Sequence, residues 1–227
     1  MQTFTPDSLV LPSQTRACIF DFDMTLADGG PWIVECYQNI LHQHGYHHVD
    51  DAVVRSTIGL TIEDSFALMT GLTDKDLCWN MRMEFKAICR PKIAEKTAFF
   101  PDGVDFLHRL KTAEIACAIV STKETAVIHQ TLEMNGLDDL FDCVVGLTEV
   151  KEAKPSPEGI LYVLHQLGLS KEEVVYFGDN PVDGEAAQRA GVAYVGVAKG
   201  IHTPAQLSAF PHLAVIEDYH LLQLNLQ

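Results

Sequence analysis

Residues 17–25 read ACIFDFDMT, and this stretch decides the fold class of the chain. Four apolar or small residues run directly into Asp21 and Asp23, and Thr25 follows two residues later. A strand that is buried on both faces reads as a continuous apolar run, so the two acids are predicted at its carboxyl end rather than inside it. Carboxylates placed there cost desolvation and mutual repulsion unless a cation or a reaction requires them. The stretch is therefore typical of a catalytic strand.

From residue 100 onward, predicted helices alternate with short apolar strands. The pattern predicts helices at 104–112, 124–135, 157–167 and 183–190, and strands at 115–120, 143–146, 174–177, 192–197 and 213–216. This alternation is typical of a parallel sheet with helices on both faces and right-handed crossovers, and residues 18–22 supply its first strand. We expect an α/β fold, a doubly wound parallel sheet with a Rossmann-like core.

Residues 29–96 have a different pattern. Apolar residues at helical spacing predict helices at 31–44, 50–57, 62–69 and 77–93, and no strand is predicted among them. We therefore expect an inserted all-helical cap domain at 29–96, and an α/β catalytic core formed by 1–28 and 97–227. A site that must exclude water and still admit substrate needs a moving cap, so hinges are expected near 28–31 and 96–100.

Charge and composition exclude several classes of partner. The formal net charge is -15 over 227 residues, which argues against nucleic acid or an anionic membrane. Residues 1–14 lack the basic and apolar stretches of a signal peptide, and no apolar run reaches membrane-spanning length. The six cysteines are scattered without a CxxC pair, which favours free thiols in the cytoplasm. The sequence indicates no particular oligomeric state.

Four loops that follow the predicted strands carry polar residues, and ligands bind at this edge of open parallel sheets. The first loop contains Asp21 and Asp23, and the second contains Ser121-Thr122-Lys123. The third contains Lys154-Pro155-Ser156-Pro157, and the fourth is GDNPVDG at 178–184. Each loop alone is a weak signal, whereas four in order on one edge are a strong one.

Together these loops resemble the four motifs of the haloacid dehalogenase superfamily, over nearly the whole chain and including the helical segment between the first two. Ile58-Gly59-Leu60 and Gly191-Val192 are in keeping with its phosphoglycolate phosphatase and β-phosphoglucomutase branch. The resemblance implies a Mg²⁺-dependent phosphatase that hydrolyses a small phosphomonoester, a phosphorylated metabolite, through an aspartyl-phosphate intermediate. In such proteins the cap sets substrate specificity.

The resemblance also implies roles for the motif residues. Asp21 would be the nucleophile, and Asp23 would protonate the leaving oxygen and later deprotonate the attacking water. Lys154 would supply positive charge for catalysis and phosphate binding, together with the Ser121 hydroxyl and the Thr122 backbone N–H.

For Mg²⁺, the resemblance implies three ligands: the Asp21 carboxylate, the Asp23 backbone carbonyl and the Asp179 carboxylate. Asp183, one turn beyond Asp179, would support the ion from outside this set or bind it directly on occasion. Thr25 would also support the set from outside.

Other interpretations remain open from the residues alone. A sugar-phosphate mutase would use the same core residues and differ by protecting the aspartyl-phosphate from water. A catalytically silent binding or regulatory module is a further alternative. A dehalogenase or a phosphonate hydrolase is disfavoured, because those branches do not keep an acid at the position of Asp23. Cations of the helical segment are candidate anchors for a distal anionic group of the substrate, or else solvated surface: Arg55, Arg82, Lys86 and Arg90.

Overall fold

The computed structural model describes residues 8–224, in which strands and helices alternate from residue 98 onward. The strands are β1 (Leu9–Val10), β2 (Ala17–Phe20), β3 (Ala27–Asp28), β4 (Ala98–Phe99), β5 (Ala116–Val120), β6 (Cys143–Val145), β7 (Val174–Gly178), β8 (Ala193–Val197), β9 (Ala214–Ile216) and β10 (Leu222–Gln223). The helices are α1 (Gly30–Gln43), α2 (Asp51–Ser56), α3 (Ile62–Thr70), α4 (Lys75–Lys96), α5 (Pro101–Thr112), α6 (Thr125–Asn135), α7 (Glu158–Leu167), α8 (Pro181–Ala190) and α9 (Pro204–Leu207).

Six of these strands form one sheet in the order β6-β5-β2-β7-β8-β9, and every neighbouring pair in it is parallel. The first of these six strands in sequence, β2, therefore lies between β5 and β7 near the middle of the sheet. This order places the loops that follow β2, β5 and β7 beside one another at the carboxyl edge. The predicted α/β fold with a parallel sheet is confirmed.

The sheet has a hydrophobic core on each face, and β2 contributes to both. Cys18 and Phe20 face one core, whereas Ala17 and Ile19 face the other, as the alternation of strand side chains requires. Residues of α5 and α6 cover the first face, and residues of α7 and α8 cover the second. Helices on both faces make the sheet doubly wound, and the buried strands hold the loops at its edge rigid.

The regular elements between β3 and β4 are all helices, and they form most of a third hydrophobic core, to which Met24 and Val127 also contribute. Tyr37 from α1 packs against Phe85 from α4 with ring centroids 4.3 Å apart, and against Phe66 from α3 at 5.0 Å. Strands β3 and β4 pair with each other in antiparallel orientation, so the chain enters and leaves this segment through a two-stranded ribbon. The ribbon lies where hinges were expected, and hinge motion there remains a prediction.

The observed elements differ from the predicted ones mainly at their ends. Helix α4 runs from Lys75 to Lys96 and includes Pro91, so it is longer at both ends than the predicted 77–93. The four shortest strands, β1, β3, β4 and β10, were not predicted, because two residues are too few to show a periodic pattern. All six cysteines are free thiols. Within residues 8–224, no helix combines the length and apolar character needed to cross a membrane.

Candidate active site

The carboxyl edge of the sheet collects the predicted site residues from four separate loops. Asp21 follows β2 directly and is 1% exposed, and Ser121 follows β5 directly. Lys154 lies in the loop between β6 and α7, and Asp179 follows β7. Asp183 lies in the first turn of α8 and is fully buried. The parallel register thus brings residues that are more than 150 positions apart in sequence to one buried place.

A buried lysine lies at the centre of this group. Lys154 Nζ lies 2.7 Å from Asp21 Oδ1 and 2.7 Å from Asp183 Oδ1, and the side chain is 3% exposed. It also donates a hydrogen bond of 3.3 Å to the Tyr176 hydroxyl. Burial alone would lower the pKa of Lys154, but the carboxylates of Asp183 and Asp21 more than compensate and raise it. Lys154 is therefore a fixed positive charge.

Three carboxylates surround this single lysine. Asp21, Asp179 and Asp183 each offer an oxygen, and these oxygens all lie within 4.8 Å of one another. Burial raises the pKa of Asp179 well above its usual range, and the nearby charges of Asp183 and Asp21 raise it further. Burial likewise raises the pKa of Asp183, against the effect of Lys154. Three carboxylates and one ammonium leave an excess of two negative charges when all are ionised.

The cluster fits a small, hard divalent cation. Both carboxylate oxygens of Asp21 are buried, and neither has a hydrogen-bond partner among residues 8–224, so one can face a cation while the other stays available. Thr25 Oγ1 donates to Asp179 Oδ1 at 3.2 Å and orients the second carboxylate. The backbone at Gly200 passes so close to Asp179 that a Cβ there would overlap the carboxylate. An all-oxygen donor set of this kind is the chemistry that Mg²⁺ prefers.

Asp23 lies apart from the three-carboxylate cluster and faces a different partner. Its Oδ2 lies 2.9 Å from Lys123 Nζ, and both side chains are mostly buried. Burial raises the pKa of Asp23, while Lys123 opposes the rise. The next residue, Met24, has a φ of 61°, a left-handed conformation that is uncommon outside glycine. The chain thus turns directly after Asp23, where the Leu26 N–H donates to the Phe22 carbonyl at 3.0 Å.

The Ser121-Thr122 pair follows β5, where phosphate binding was expected. Ser121 is 7% exposed, and its Oγ accepts a hydrogen bond of 3.3 Å from the Lys123 backbone N–H. Thr122 Oγ1 donates to the backbone carbonyl of Gly59 at 3.0 Å, so this hydroxyl contacts the helical segment. The phosphate role predicted for Thr122 uses its backbone N–H, which leaves the hydroxyl free to make that contact.

A cavity of about 110 Å³ lies between the helical segment and the loops of the sheet. Asp23, Thr122 and Lys123 line it from the side of the sheet. On the other side the loop 57–60 is tied down, because Asn180 Nδ2 donates to the Ile58 carbonyl at 3.0 Å. Gly59, with a φ of 103°, lies against the Asn180 amide, which no larger residue could approach as closely. The helical segment thus closes over the site.

Sequence reasoning missed three residues of this site. Tyr176 donates to Asp183 Oδ1 at 3.1 Å, but within the apolar strand β7 it reads as an ordinary core residue. Asn180 was visible only as a turn residue of the fourth loop. Lys123 gave a usable signal, because a lysine next to the expected phosphate-binding pair adds charge at the sheet edge. Its pairing with Asp23 is a tertiary contact that the sequence pattern does not reveal.

The chain is similar to known proteins over most of its length. The family model described as haloacid dehalogenase-like hydrolase matches residues 18–197. A Dickeya dadantii protein named "Probable phosphatase IndB" is 31% identical over 204 residues, covering 88% of this chain and 89% of the relative. A Bacillus velezensis protein named pyrophosphatase PpaX is 30% identical over 197 residues, covering 87% and 89% respectively.

Among solved structures, a Bacteroides fragilis protein described as a haloacid dehalogenase-like hydrolase has a TM-score of 0.89 and 37% identity. The match covers 91% of this chain and 99% of that one. A Haemophilus somnus protein described as a predicted phosphoglycolate phosphatase has a TM-score of 0.81 at 23% identity, and covers 91% of this chain and 95% of its own. At that identity the similarity shows a shared fold.

The chain belongs to the haloacid dehalogenase-like hydrolase family, and the family predicted from the four loops is confirmed. The relatives that have an activity in their names are phosphatases and pyrophosphatases. The expected enzyme class, a phosphoric monoester hydrolase, is thereby confirmed at the level of the family.

Proposed function

We propose that this protein is a Mg²⁺-dependent phosphatase that hydrolyses a small phosphomonoester through an aspartyl-phosphate on Asp21. The observation that carries the proposal is the state of the Asp21 carboxylate. One oxygen lies 2.7 Å from the buried Lys154, while the other has no hydrogen-bond partner among residues 8–224. A carboxylate fixed by one oxygen and free at the other is arranged for attack on an electrophile.

In the first half of the reaction, Asp21 Oδ2 forms a bond to phosphorus while the bond from phosphorus to the leaving oxygen breaks. Asp23 gives its proton to that oxygen, and a pKa raised by burial keeps the carboxyl protonated to a higher pH. In the second half, Asp23 takes a proton from a water molecule, which attacks the phosphorus of the aspartyl-phosphate and restores Asp21. Inorganic phosphate is the second product.

The remaining residues would bind and stabilise charge. Lys154 offsets the charge of Asp21 and the phosphoryl group, and the Ser121 hydroxyl and Thr122 N–H hold the phosphoryl oxygens. We propose that Asp21 and Asp179 hold Mg²⁺ through carboxylate oxygens and Asp23 through its backbone carbonyl. When bound, Mg²⁺ would neutralise the excess negative charge of the cluster and of the transferred group. Asp183 and Thr25 position these groups through their contacts with Lys154 and Asp179.

We propose that two parts of the chain have separate roles in this function. Residues 1–28 and 97–227 would form the catalytic core, and 29–96 the cap that sets specificity for a phosphorylated small molecule. The hydrophobic core that lies mainly within the cap, and the position of the cap over the cavity, support this division. Six free cysteines support a reducing, cytoplasmic setting.

The test is phosphate release from a panel of phosphomonoesters with and without Mg²⁺, using the wild type, Asp21→Asn and Asp23→Asn. Asp105→Asn, an exposed substitution of the same kind on α5, is the matched control. We expect activity only with Mg²⁺, no activity in Asp21→Asn, and full activity in Asp105→Asn. With p-nitrophenyl phosphate, whose leaving group needs little protonation, Asp23→Asn should accumulate one phosphoryl group on Asp21, detectable by mass spectrometry. Undiminished turnover in Asp21→Asn would contradict the proposal.

A further inference from the structure

One face of the cap helix α4 carries a row of cations toward the cavity. Arg82, Lys86 and Arg90 are spaced four residues apart, which places them on the same side of the helix. All three line the cavity, and Lys123 joins them from the side of the sheet. The protein as a whole has a net charge of -15, so four cations around one small cavity are a local reversal of charge.

A single carboxylate of the core serves all three cations of the row. Glu124 forms an ion pair with Lys86, and its carboxylate oxygens lie 3.5 Å from Arg82 Nη2 and 3.8 Å from Arg90 Nη1. Arg82 has a further partner outside the cavity, since its Nε lies 3.4 Å from Glu63 Oε1. Glu124 and Glu63 together give two carboxylates for three cations, so the row keeps one positive charge that no carboxylate offsets.

The fourth cation, Lys123, is paired with Asp23. Asp23 offsets that charge when it is ionised, and when it carries the proton for the leaving oxygen, Lys123 adds a further positive charge. With Asp23 ionised, and with Glu63 outside the cavity counted as a partner of Arg82, three carboxylates offset the four cations. An anion that enters the cavity therefore meets a net positive charge in a partly desolvated place, where ion pairs are stronger than at an open surface.

We propose that the row Arg82, Lys86 and Arg90 binds a second anionic group of the substrate, a carboxylate or a second phosphate carried by the leaving group. The inference rests on the proposed phosphatase function and deepens it by naming the substrate class. Asp23, which would protonate the leaving oxygen, lines the same cavity, so the leaving group must project into it. The cations lie in that direction.

The rest of the cavity limits what connects the two anionic groups. Apolar side chains such as Ile58, Leu60 and Phe85 form much of the remaining wall. A volume of about 110 Å³ is small beside the several hundred Å³ of pockets that hold drug-sized ligands. The substrate class is thus a phosphoester with a short leaving group that ends in an acid.

In this arrangement Glu124 pairs with the three cations while no substrate is bound, and the second acidic group of the substrate then competes with Glu124 for them. The competing explanation is that Glu124 and the three cations only fasten the cap to the core. Two substitutions separate these explanations, because the first explanation predicts that they change diacid binding in opposite directions and the second predicts the same direction for both. If Glu124 competes with the ligand, Glu124→Gln strengthens binding of a diacid and Lys86→Gln weakens it. If the cluster is only a fastening, both substitutions loosen the cap and act in the same direction.

The experiment measures calorimetric affinities, with Mg²⁺ present, for phosphonates that cannot be hydrolysed. Propylphosphonate has one anionic group, 3-phosphonopropionate adds a carboxylate at the same chain length, and 1,2-ethylenediphosphonate adds a second phosphonate. The proteins are the wild type, Lys86→Gln, Glu124→Gln and the control Lys75→Gln. Lys75 is an exposed cation at the start of α4 that does not line the cavity.

We expect the wild type to bind at least one of the diacids about tenfold more tightly than propylphosphonate, since hydrogen bonds to charged groups are the strong ones. The preferred diacid tells whether the second group is a carboxylate or a phosphate. Lys86→Gln should reduce the preference about tenfold, Glu124→Gln should increase it, and Lys75→Gln should leave it unchanged.

Equal affinities for all three phosphonates in the wild type would overturn the inference, as would a loss of preference in Glu124→Gln equal to that in Lys86→Gln. Because binding is measured without turnover, the two proposals fail separately. Phosphate release from propyl phosphate without any preference among the phosphonates would refute only the second anion site. A clear preference in a protein that releases no phosphate from any ester would refute only the phosphatase.

Discussion

Replacing Lys154 by methionine removes the one cation at the centre of three buried carboxylates while keeping much of the side-chain volume. In the wild type, Nζ lies 2.7 Å from both Asp21 Oδ1 and Asp183 Oδ1, and these two residues are 1% or less exposed. Breaking a buried ion pair by removing one partner costs about 3–5 kcal/mol, because the other charge stays buried and uncompensated. We therefore expect the free energy of unfolding of Lys154→Met, measured without metal at pH 8, to be about 3–5 kcal/mol lower than that of the wild type.

The size of this loss of stability should depend on pH, and the direction of that dependence follows from the linkage between protonation and folding. Without the lysine, the charge that lowers the folded-state pKa values of Asp179 and Asp183 is lost, so these values rise further above the unfolded value of about 4. A carboxyl whose pKa is raised by folding costs stability at any pH where the unfolded chain is ionised, and the cost disappears as pH falls through the folded-state pKa. The deficit of Lys154→Met against the wild type should therefore be largest at pH 8 and smaller at pH 5. Mg²⁺ should also reduce it, by supplying positive charge to the same oxygens.

Urea unfolding followed by circular dichroism at both pH values, with and without Mg²⁺, measures these differences. Lys151→Met is the matched control, because Lys151 is exposed in the same loop and its replacement should change stability by no more than about 0.5 kcal/mol. A deficit in Lys154→Met that equals that of Lys151→Met, or that grows as pH falls, would refute the assignment of Lys154 as the compensating charge of the cluster.

Two further predictions concern the metal. Asp179→Asn should raise the melting temperature of the metal-free protein at neutral pH, because burial and the neighbouring acids raise the pKa of Asp179 and so make its ionised form costly. The same substitution should abolish stabilisation by Mg²⁺. A melting temperature that still rises with Mg²⁺ would contradict this. Gly200→Ala should increase the Mg²⁺ concentration for half-maximal activity about tenfold, because a Cβ there overlaps the Asp179 carboxylate. Gly103→Ala, where the nearest atom to a new Cβ is 3.5 Å away, is the control, and equal Mg²⁺ requirements in the two variants would count against the prediction.

The sheet and its polar edge could be predicted because burial dictates both. A strand covered on two faces must be apolar, as 17–20 and 174–178 are, so a polar residue marks its end. Parallel order then brings Asp21, Ser121 and Asp179 to one edge whatever the intervening sequence. The side chains that complete the site were harder to predict. Tyr176 contributes one hydroxyl from inside a buried strand, and only three-dimensional contact distinguishes it from a core tyrosine.

The contacts between cap and core were beyond sequence reasoning for a related reason. Arg82, Lys86 and Arg90 could be recognised as cations on a helix, but most such rows face solvent. Their direction is set by how α4 packs on α1, α3 and α6, and by the single carboxylate of Glu124 that meets them. Tertiary packing of this kind leaves no periodic trace in the sequence.

The antiparallel pairing of β3 with β4 has an evolutionary consequence. Ala27 lies opposite Phe99 and Asp28 opposite Ala98, so the two ends of the inserted segment are neighbours in space. Paired strands are only about 5 Å apart, a gap that a two-residue turn can bridge. Whatever is inserted between them can lengthen, shorten or be exchanged without moving the strand that carries Asp21. A fold built this way can acquire new substrates by replacing a module at one fixed junction, while its chemistry stays intact underneath.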